Sequence, residues 1–321
     1  MARFKGFPQG YAPDLMLNLR RAPEGGELRV PGALEGPAAH AQRTECLVLV
    51  HGFNNHAGEA AEAYLGFRQM QCAQFSGLDP ERLEKLLGDA FWPGDARWRG
   101  PLDWADFLVY PAAVGTARAT GPALAEVLRR LQAAGLLRVS FIGHSLGCRV
   151  VLETVRDLLD NGGPALGRIE LMAAAVPIEM VSVHGQFEAV LQRLQLERVE
   201  VQVLYSSDDW VLRGSFPPGQ ALAGPSEASV RALGLKGPPP SMPGQGGNVF
   251  GFQVADAGHS DYWGHERNDA ATRAAQQTGR FFNFQSPTRT LQPRPPADTR
   301  SIGEIRTSGT VRTSSEVRTL R

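Results

Sequence analysis

The segment Gly143-His144-Ser145-Leu146-Gly147 constrains the fold most, because of what stands on either side of it. Residues 137–142 before it are β-branched, aromatic and aliphatic, as in a buried strand. Residues 148–159 after it carry apolar side chains at helical spacing. A serine on such a tight strand-to-helix turn needs small neighbours two residues away, since the turn strains its backbone. The pattern G-x-S-x-G between strand and helix therefore predicts a nucleophilic Ser145 whose hydroxyl is lifted clear of the sheet.

The rest of the chain alternates between strand and helix patterns, which favours an α/β fold. Residues 44–50 form a continuous apolar run, typical of a central parallel strand that is buried on both faces. We expect an α/β fold with a mostly parallel central sheet and helices on both faces. Further strands are predicted at 169–175, 199–205 and 248–255, with 83–92 leading to another strand end, and helices at 58–75, 121–131, 186–196 and 269–282.

Three segments are less regular. Residues 15–19 and 27–30 are predicted to pair as an N-terminal hairpin. Residues 106–110 fit either a strand or part of an irregular cap over the site. Residues 217–247 are rich in Pro, Gly and Ser and form either a lid or a tolerated insertion.

Composition bounds the domain organisation. The chain has 321 residues, and we expect one catalytic domain, 1–285, with a tail, 286–321. The tail is rich in Arg, Thr and Ser, and its seven arginines against three carboxylates give a net charge of +4. It contains few large apolar groups, so we expect disorder, with an interaction or modification segment as the alternative and its partner left open.

Charge and cysteine content exclude several classes of function. Thirty-three basic residues balance 33 acidic ones, so no overall field points to nucleic acid or a membrane surface. There is no apolar run long enough to span a bilayer, and the N-terminal segment lacks the apolar core of a signal peptide, so we expect a cytoplasmic protein. The three cysteines show no metal-ligand spacing. We expect buried free thiols in a reducing compartment, and no metal or cofactor.

A nucleophilic serine needs a base and a group that orients the base. In an α/β fold of this kind the acid precedes the histidine along the chain. We therefore favour His259, which follows the last predicted strand, over His184 and His265. For the acid, Asp209 is favoured and Asp208 is the alternative. The alternative for either aspartate is that it only caps the next helical turn, and a division of the two roles between them is left open.

The oxyanion formed on attack needs two preorganised donors. One is expected to be the backbone N–H of Leu146, directly after the nucleophile. The other is expected from the turn after residues 44–50, where the N–H of Phe53 is the natural candidate. His51 in the same turn is interpreted as holding the loop by hydrogen bonds.

Together these residues resemble the alpha/beta-hydrolase superfamily. The chain is most similar to a bacterial group of uncharacterised hydrolases with an HG[FY]NN turn, a W-P segment, GHS-x-G and a late GH-S stretch. The resemblance covers residues 45–265 and departs from the group at Gly94, where relatives usually show Ser, and at the doubled aspartate. The tail has no counterpart in it. The matching segments are 51–55, 92–93, 143–147, 209–212 and 258–260.

The resemblance implies a serine hydrolase that cleaves an ester or thioester of a small acyl substrate through an acyl-enzyme. Two alternatives remain open. One is an amidase or peptidase with the same three residues, because nothing in the motifs reports the leaving group. The other is a non-catalytic binding protein that has kept the fold.

Overall fold

The structure is a computed structural model that describes residues 7–25, 27–95, 110–217 and 231–284. Its central element is a β-sheet. Within these ranges the sheet has eight strands in the order β2-β1-β4-β3-β5-β6-β7-β8. β2 is antiparallel to β1, and every other neighbouring pair is parallel. The strands are β1 Met16–Arg20, β2 Leu28–Glu35, β3 Glu45–Val50, β4 Leu87–Phe91, β5 Arg138–His144, β6 Ala165–Met172, β7 Val201–Tyr205 and β8 Val249–Gln253.

Helices connect the parallel strands. In the described ranges, α3 packs against α4 and β2, and α1 packs against α9 and the 3-10 helix. The helices are α1 Ala57–Gln74, α2 Pro80–Leu86, α3 Tyr110–Ala133, α4 Gly147–Asn161, α5 Ile178–Val181, α6 Glu188–Leu196, α7 Trp210–Gly214, α8 Leu233–Lys236, the 3-10 helix Asp261–Trp263 and α9 Asp269–Phe281.

Side-chain caps define where several helices begin. Asp79 caps α2, which then starts with Pro80, a residue that has no amide hydrogen to leave unpaired. The Asn268 side chain accepts the Ala271 N–H at the start of α9, at 2.8 Å. His56 caps α1 and forms a reciprocal pair with Glu59. These local signals place the helix starts independently of tertiary packing.

The strand register determines which loops meet. β3 pairs with β5 so that Val50 lies beside Gly143, and β5 pairs with β6 so that His144 lies beside Met172. The carboxyl ends of these parallel strands therefore share one edge of the sheet, where ligands bind in open α/β sheets. The loops that follow β3, β5, β7 and β8 all leave from this edge.

The predicted fold class is confirmed: the structure has the alpha/beta-hydrolase fold. The predicted hairpin forms, although its second strand extends to Glu35. α3 is longer than the predicted 121–131, because Pro122 is tolerated inside it. Tyr110 begins this helix, so the strand interpretation of 106–110 is wrong for that residue, while 106–109 lie outside the described residues.

Part of the Pro/Gly-rich segment 217–247 is built into the sheet edge. The Gly234 N–H donates to the Ala174 carbonyl at 2.9 Å, and the Gly234 carbonyl accepts the Ser206 N–H at 3.0 Å. A Cβ on residue 234 would lie 2.1 Å from the Ala174 nitrogen, so only glycine fits there. This anchored part favours an insertion over a lid, and residues 218–230 lie outside the described residues.

The remaining expectations concern thiols and the chain termini. Cys46, Cys72 and Cys148 are free, and Cys72 is half-buried rather than buried. None of the described helices is long and apolar enough to cross a bilayer. The chain divides into two units, Met1–Thr288 and Arg289–Arg321, and the second lies wholly outside the described residues. The domain division at residue 285 stays a prediction.

A buried carboxyl group, Glu170 on β6, links the sheet to α9. It accepts hydrogen bonds from Thr278 Oγ1, at 2.6 Å, and from the Gln202 side chain. Burial raises its pKa from 4.5 to about 7. A folded-state pKa above the unfolded value means that the stabilisation is complete below pH 4.5 and is lost as the pH rises through 7.

We predict that Glu170→Gln, which resembles the protonated acid, gains stability relative to the wild type at pH 8 but not at pH 5. The relative gain between these pH values is expected to be roughly 1–3 kcal/mol. Urea unfolding at both pH values measures it, and Glu62→Gln on the exposed surface of α1 is the control. An equal difference between variant and wild type at both pH values would contradict the prediction.

Candidate active site

Ser145 lies in the turn between β5 and α4 with a left-handed backbone, φ +52°. Its N–H donates to the Met172 carbonyl at 3.0 Å, and its own carbonyl accepts the Ala175 N–H at 3.1 Å. These bonds to the chain after β6 hold the strained turn in place. The structure thus gives Ser145 the backbone that the G-x-S-x-G pattern predicts.

Glycines let the neighbouring backbones come close to this turn. A Cβ on Gly147 would lie 2.3 Å from the His51 carbonyl oxygen and 2.5 Å from that of Val50. A Cβ on Gly52 would lie 2.9 Å from the Ser145 Cβ. The loop after β3 and the start of α4 are therefore in direct backbone contact, which places this loop beside the serine.

His259 stands over the serine hydroxyl. It follows β8, and its Nε2 lies 2.9 Å from Ser145 Oγ. The turn around it is fixed by Asp261, whose carboxylate accepts the Gly258 N–H at 2.7 Å and the Asn268 amide at 2.8 Å. The histidine favoured from chain order is thus the one that the fold brings to Ser145.

Asp209 completes the array from the loop after β7. Its Oδ2 lies 2.7 Å from His259 Nδ1, and its Oδ1 accepts the Leu212 N–H at 2.9 Å. The second bond caps α7, so one carboxylate both contacts the imidazole and caps the helix. The two contacts are therefore not divided between the two aspartates. Asp208 is exposed, and its N–H bonds to Ser206 Oγ instead.

The other candidate histidines lie elsewhere. The His184 side chain is 93% exposed and lies near Glu188. His265 packs its backbone against Gly66 of α1, where a Cβ would lie 2.8 Å from the His265 nitrogen. Within the described residues, neither ring contacts Ser145.

Two backbone amides in the loops next to Ser145 have no acceptor among the described residues. Among the described residues, none accepts a hydrogen bond from the N–H of Leu146 or of Phe53. The next amide, of Asn54, donates to the Gly94 carbonyl at 2.8 Å and is thus already used. The assignment of the Leu146 and Phe53 amides as oxyanion donors stays a prediction.

His51 determines how the Phe53 amide points. Burial, and then the positive charge of Arg20, lower the pKa of His51 to about 3, so its ring is neutral. Its Nδ1 donates to the Gly52 carbonyl at 2.9 Å, while its Nε2 accepts the Trp92 N–H at 3.3 Å. Because a trans peptide is planar, fixing the Gly52 carbonyl directs the Phe53 N–H the opposite way.

His144, which sequence reasoning did not single out, supports the histidine loop. Its Nε2 donates to the His259 carbonyl at 2.8 Å. Burial lowers the pKa of His144 well below 6.5, and the neighbouring His259 lowers it further. The sequence points to His144 only by placing it next to Ser145. The contact itself joins residues that are 115 positions apart, so no local pattern reveals it.

Neither a grouped set of metal ligands nor the surface cavity beside α5 adds to this array. In the described ranges, no three His, Cys, Asp or Glu side chains are grouped so that they could hold a metal ion. A surface cavity of about 890 Å³ is lined by α5, Arg231 and the proline-rich turn after α8. The serine, histidine and aspartate do not line it.

A mostly parallel sheet with this array at the carboxyl edge of its strands defines the class: the chain is an alpha/beta hydrolase by fold. The family described as "Alpha/beta hydrolase of unknown function (DUF900)" matches residues 37–217, more than half of the chain. The protein belongs to this family.

No curated protein matches the chain. Several solved structures are distantly similar. An esterase/lipase from an uncultured bacterium is 12% identical over 79% of this chain and 80% of its own, with a TM-score of 0.40. The thermophilic esterase Est2 from Thermogutta terrifontis is 13% identical, over 88% and 98%, with a TM-score of 0.42. Carboxyl esterase 2 from Tuber melanosporum is 10% identical, over 87% and 89%, with a TM-score of 0.41.

We predict that Gly147→Ala destabilises the protein, because its Cβ would meet the Val50 and His51 carbonyls at 2.5 and 2.3 Å. The expected loss is about 1–3 kcal/mol of unfolding free energy. Gly115→Ala, on an exposed face of α3 with open space at its Cβ, is the matched control and should gain about 0.5–1 kcal/mol. Urea unfolding compares them; equal stability of the two variants would contradict this packing argument.

Proposed function

We propose that this protein is a serine hydrolase that cleaves a carboxylic ester or thioester of a small acyl substrate. One observation carries the proposal: a continuous hydrogen-bonded array joins Ser145 Oγ to His259, at 2.9 Å, and His259 to the buried Asp209, at 2.7 Å. These are the contacts that an activated serine needs, with the base oriented by a third group.

The geometry supports the following acylation step. The Nδ1–H of His259 donates to Asp209, which leaves the Nε2 lone pair free to take the proton of Ser145 Oγ. The alkoxide attacks the acyl carbon, and the carbonyl oxygen becomes an oxyanion facing the Phe53 and Leu146 amides. Asp209 stabilises the imidazolium that forms. The proton then passes from Nε2 to the departing alcohol or thiol, which leaves an ester of Ser145.

Deacylation repeats the same proton transfers with water. His259 takes a proton from water, the hydroxide attacks the acyl-enzyme, and the oxyanion again faces the two amides. Collapse of this intermediate returns the proton to Ser145 Oγ and releases the acid. These steps use only the array, the two amides and water, so the proposal includes neither a metal nor a cofactor.

The two alternatives differ from this proposal in measurable ways. An amidase or peptidase would use the same array but must protonate a poorer leaving group, so only substrates distinguish it. A binding protein with this fold has no need for an aligned nucleophile, base and acid. The complete hydrogen-bonded array therefore favours catalysis over binding alone.

We predict that the purified protein reacts with a fluorophosphonate probe. Labelling should be lost in Ser145→Ala and strongly reduced in His259→Ala, because the probe reports an activated serine. A panel of p-nitrophenyl esters, thioesters and anilides with one common acyl group then separates the reaction classes. A folded wild type that neither labels nor hydrolyses any of them would refute the proposal.

The doubled aspartate offers a matched test of the acid. We predict that Asp209→Asn lowers kcat on a p-nitrophenyl ester by about 10³–10⁴-fold, since the amide no longer holds the imidazole in the required tautomer. Asp208→Asn, one residue away and exposed, should change kcat less than about 2-fold, since surface substitutions have small effects. Equal losses in both variants would contradict the assignment of Asp209.

A further inference from the structure

Arg20 is a fully buried cation at the end of β1, with a side chain that is 0% exposed. Its guanidinium contacts three separate loops. It donates to the Asp95 carboxylate at 2.5 and 2.6 Å, to the Trp92 carbonyl at 2.8 Å and to the Asn55 carbonyl at 3.4 Å. It also donates to the carbonyls of residues 22 and 23, at 3.2 and 2.9 Å.

Burying a charge is costly unless it is paired and fully hydrogen-bonded. Asp95, whose side chain is 8% exposed, supplies the opposite charge and also accepts the Gly25 N–H at 2.6 Å. The remaining Arg20 donors all go to backbone carbonyls. The Arg20–Asp95 pair therefore holds the backbone of three loops by hydrogen bonds. These loops follow β1, β3 and β4 and leave the same edge of the sheet.

Residues 51–54, which carry the proposed Phe53 oxyanion donor, are called the oxyanion loop. The connection from Arg20 to this loop runs through Trp92. The Trp92 N–H donates to His51 Nε2, and its indole Nε1 donates to the His51 carbonyl at 2.7 Å. The two rings also stack, with centroids 5.5 Å apart. His51 in turn holds the Gly52 carbonyl, and with it the direction of the Phe53 N–H.

A second connection runs through the residues between Trp92 and Asp95. The Gly94 carbonyl accepts the Asn54 N–H at 2.8 Å, so the amide after Phe53 is also held by this loop. A Cβ on residue 94 would lie 2.8 Å from the Trp92 ring and 3.0 Å from the Gly52 oxygen. The segment 92–95, which the ion pair holds, thus contacts the oxyanion loop on both sides of Phe53.

We propose that Arg20, paired with Asp95, is a positioning residue that sets the Phe53 oxyanion donor through Trp92 and His51. The inference rests on the proposed hydrolase function, since it assigns a task in that reaction. Arg20 precedes the residues 37–217 that match the family, so the N-terminal hairpin contributes a part of the site from outside the matched region.

The expected kinetic signature is specific. A displaced oxyanion donor weakens binding of the transition state and leaves ground-state binding nearly unchanged. Arg20→Lys keeps the charge but has one nitrogen in place of three, so it cannot make the Asp95 pair and all the carbonyl contacts together. We expect Arg20→Lys and Asp95→Asn to lower kcat by about 10- to 100-fold, somewhat less than loss of an oxyanion donor, with KM nearly unchanged.

The test compares the full-length wild type, Arg20→Lys, Arg20→Ala and Asp95→Asn with p-nitrophenyl acetate as substrate. Arg129→Ala is the matched control, since Arg129 is also ion-paired and bonds to the Gly162 carbonyl but joins α3 to the end of α4. The inhibition constant of an alkyl trifluoromethyl ketone is measured in parallel, because its hemiketal adduct carries an oxyanion. Circular dichroism and urea unfolding establish which variants fold.

Support requires that the ketone inhibition constant rises in proportion to the loss of kcat, in Arg20→Lys and Asp95→Asn but not in Arg129→Ala. Added guanidinium ion should also restore part of the activity of Arg20→Ala. If folded Arg20→Lys and Asp95→Asn keep wild-type kcat and ketone affinity, or change only in KM, the inference is wrong while the hydrolase proposal stands. If the wild type neither turns over the ester nor binds the ketone, both fail together.

Discussion

The parallel pairing of β3 with β5 is the contact on which the site depends. It places Val50 beside Gly143, so that the loop after β3 and the turn after β5 start at the same height on the sheet edge. The missing side chains of Gly52 and Gly147 then let the two backbones touch. A one-residue shift in this register would turn every β3 side chain to the opposite face and separate the loop after β3 from the serine.

Local sequence signals were sufficient for the fold class and for most of the array. The elbow at Ser145 is encoded within a few residues, by a strand, two glycines and a helix, and it appears where the pattern predicts it. His259 and Asp209 follow from their place after strands and from chain order. Ser145, Asp209 and His259 each follow a parallel strand. The carboxyl ends of such strands lie at one edge of the sheet, so the topology alone brings these residues near each other.

The remaining features depend on contacts between distant parts of the chain. The Arg20–Asp95 pair joins residues 75 apart, and His144 supports a loop 115 residues away. An arginine at the end of a strand gives no sign of burial in the sequence. The double role of Asp209 is also invisible there, because it depends on both carboxylate oxygens having separate partners. The sequence predicts a helix only over 121–131, whereas α3 spans Tyr110–Ala133 with Pro122 inside it. Packing in the fold thus overrides the low helix propensity of proline.

Burial makes the hydrogen bonds of His51 insensitive to pH. Protonation of His51 would remove the Nε2 lone pair that accepts the Trp92 N–H and place a second cation beside Arg20. Burial prevents this by lowering the pKa of His51 to about 3, and it also lowers the pKa of His144 well below 6.5. The hydrogen bonds of His51 therefore keep the same donors and acceptors wherever the protein is folded above a pH of about 3. The direction of the Gly52 carbonyl, and with it that of the Phe53 N–H, is thus independent of pH over that range.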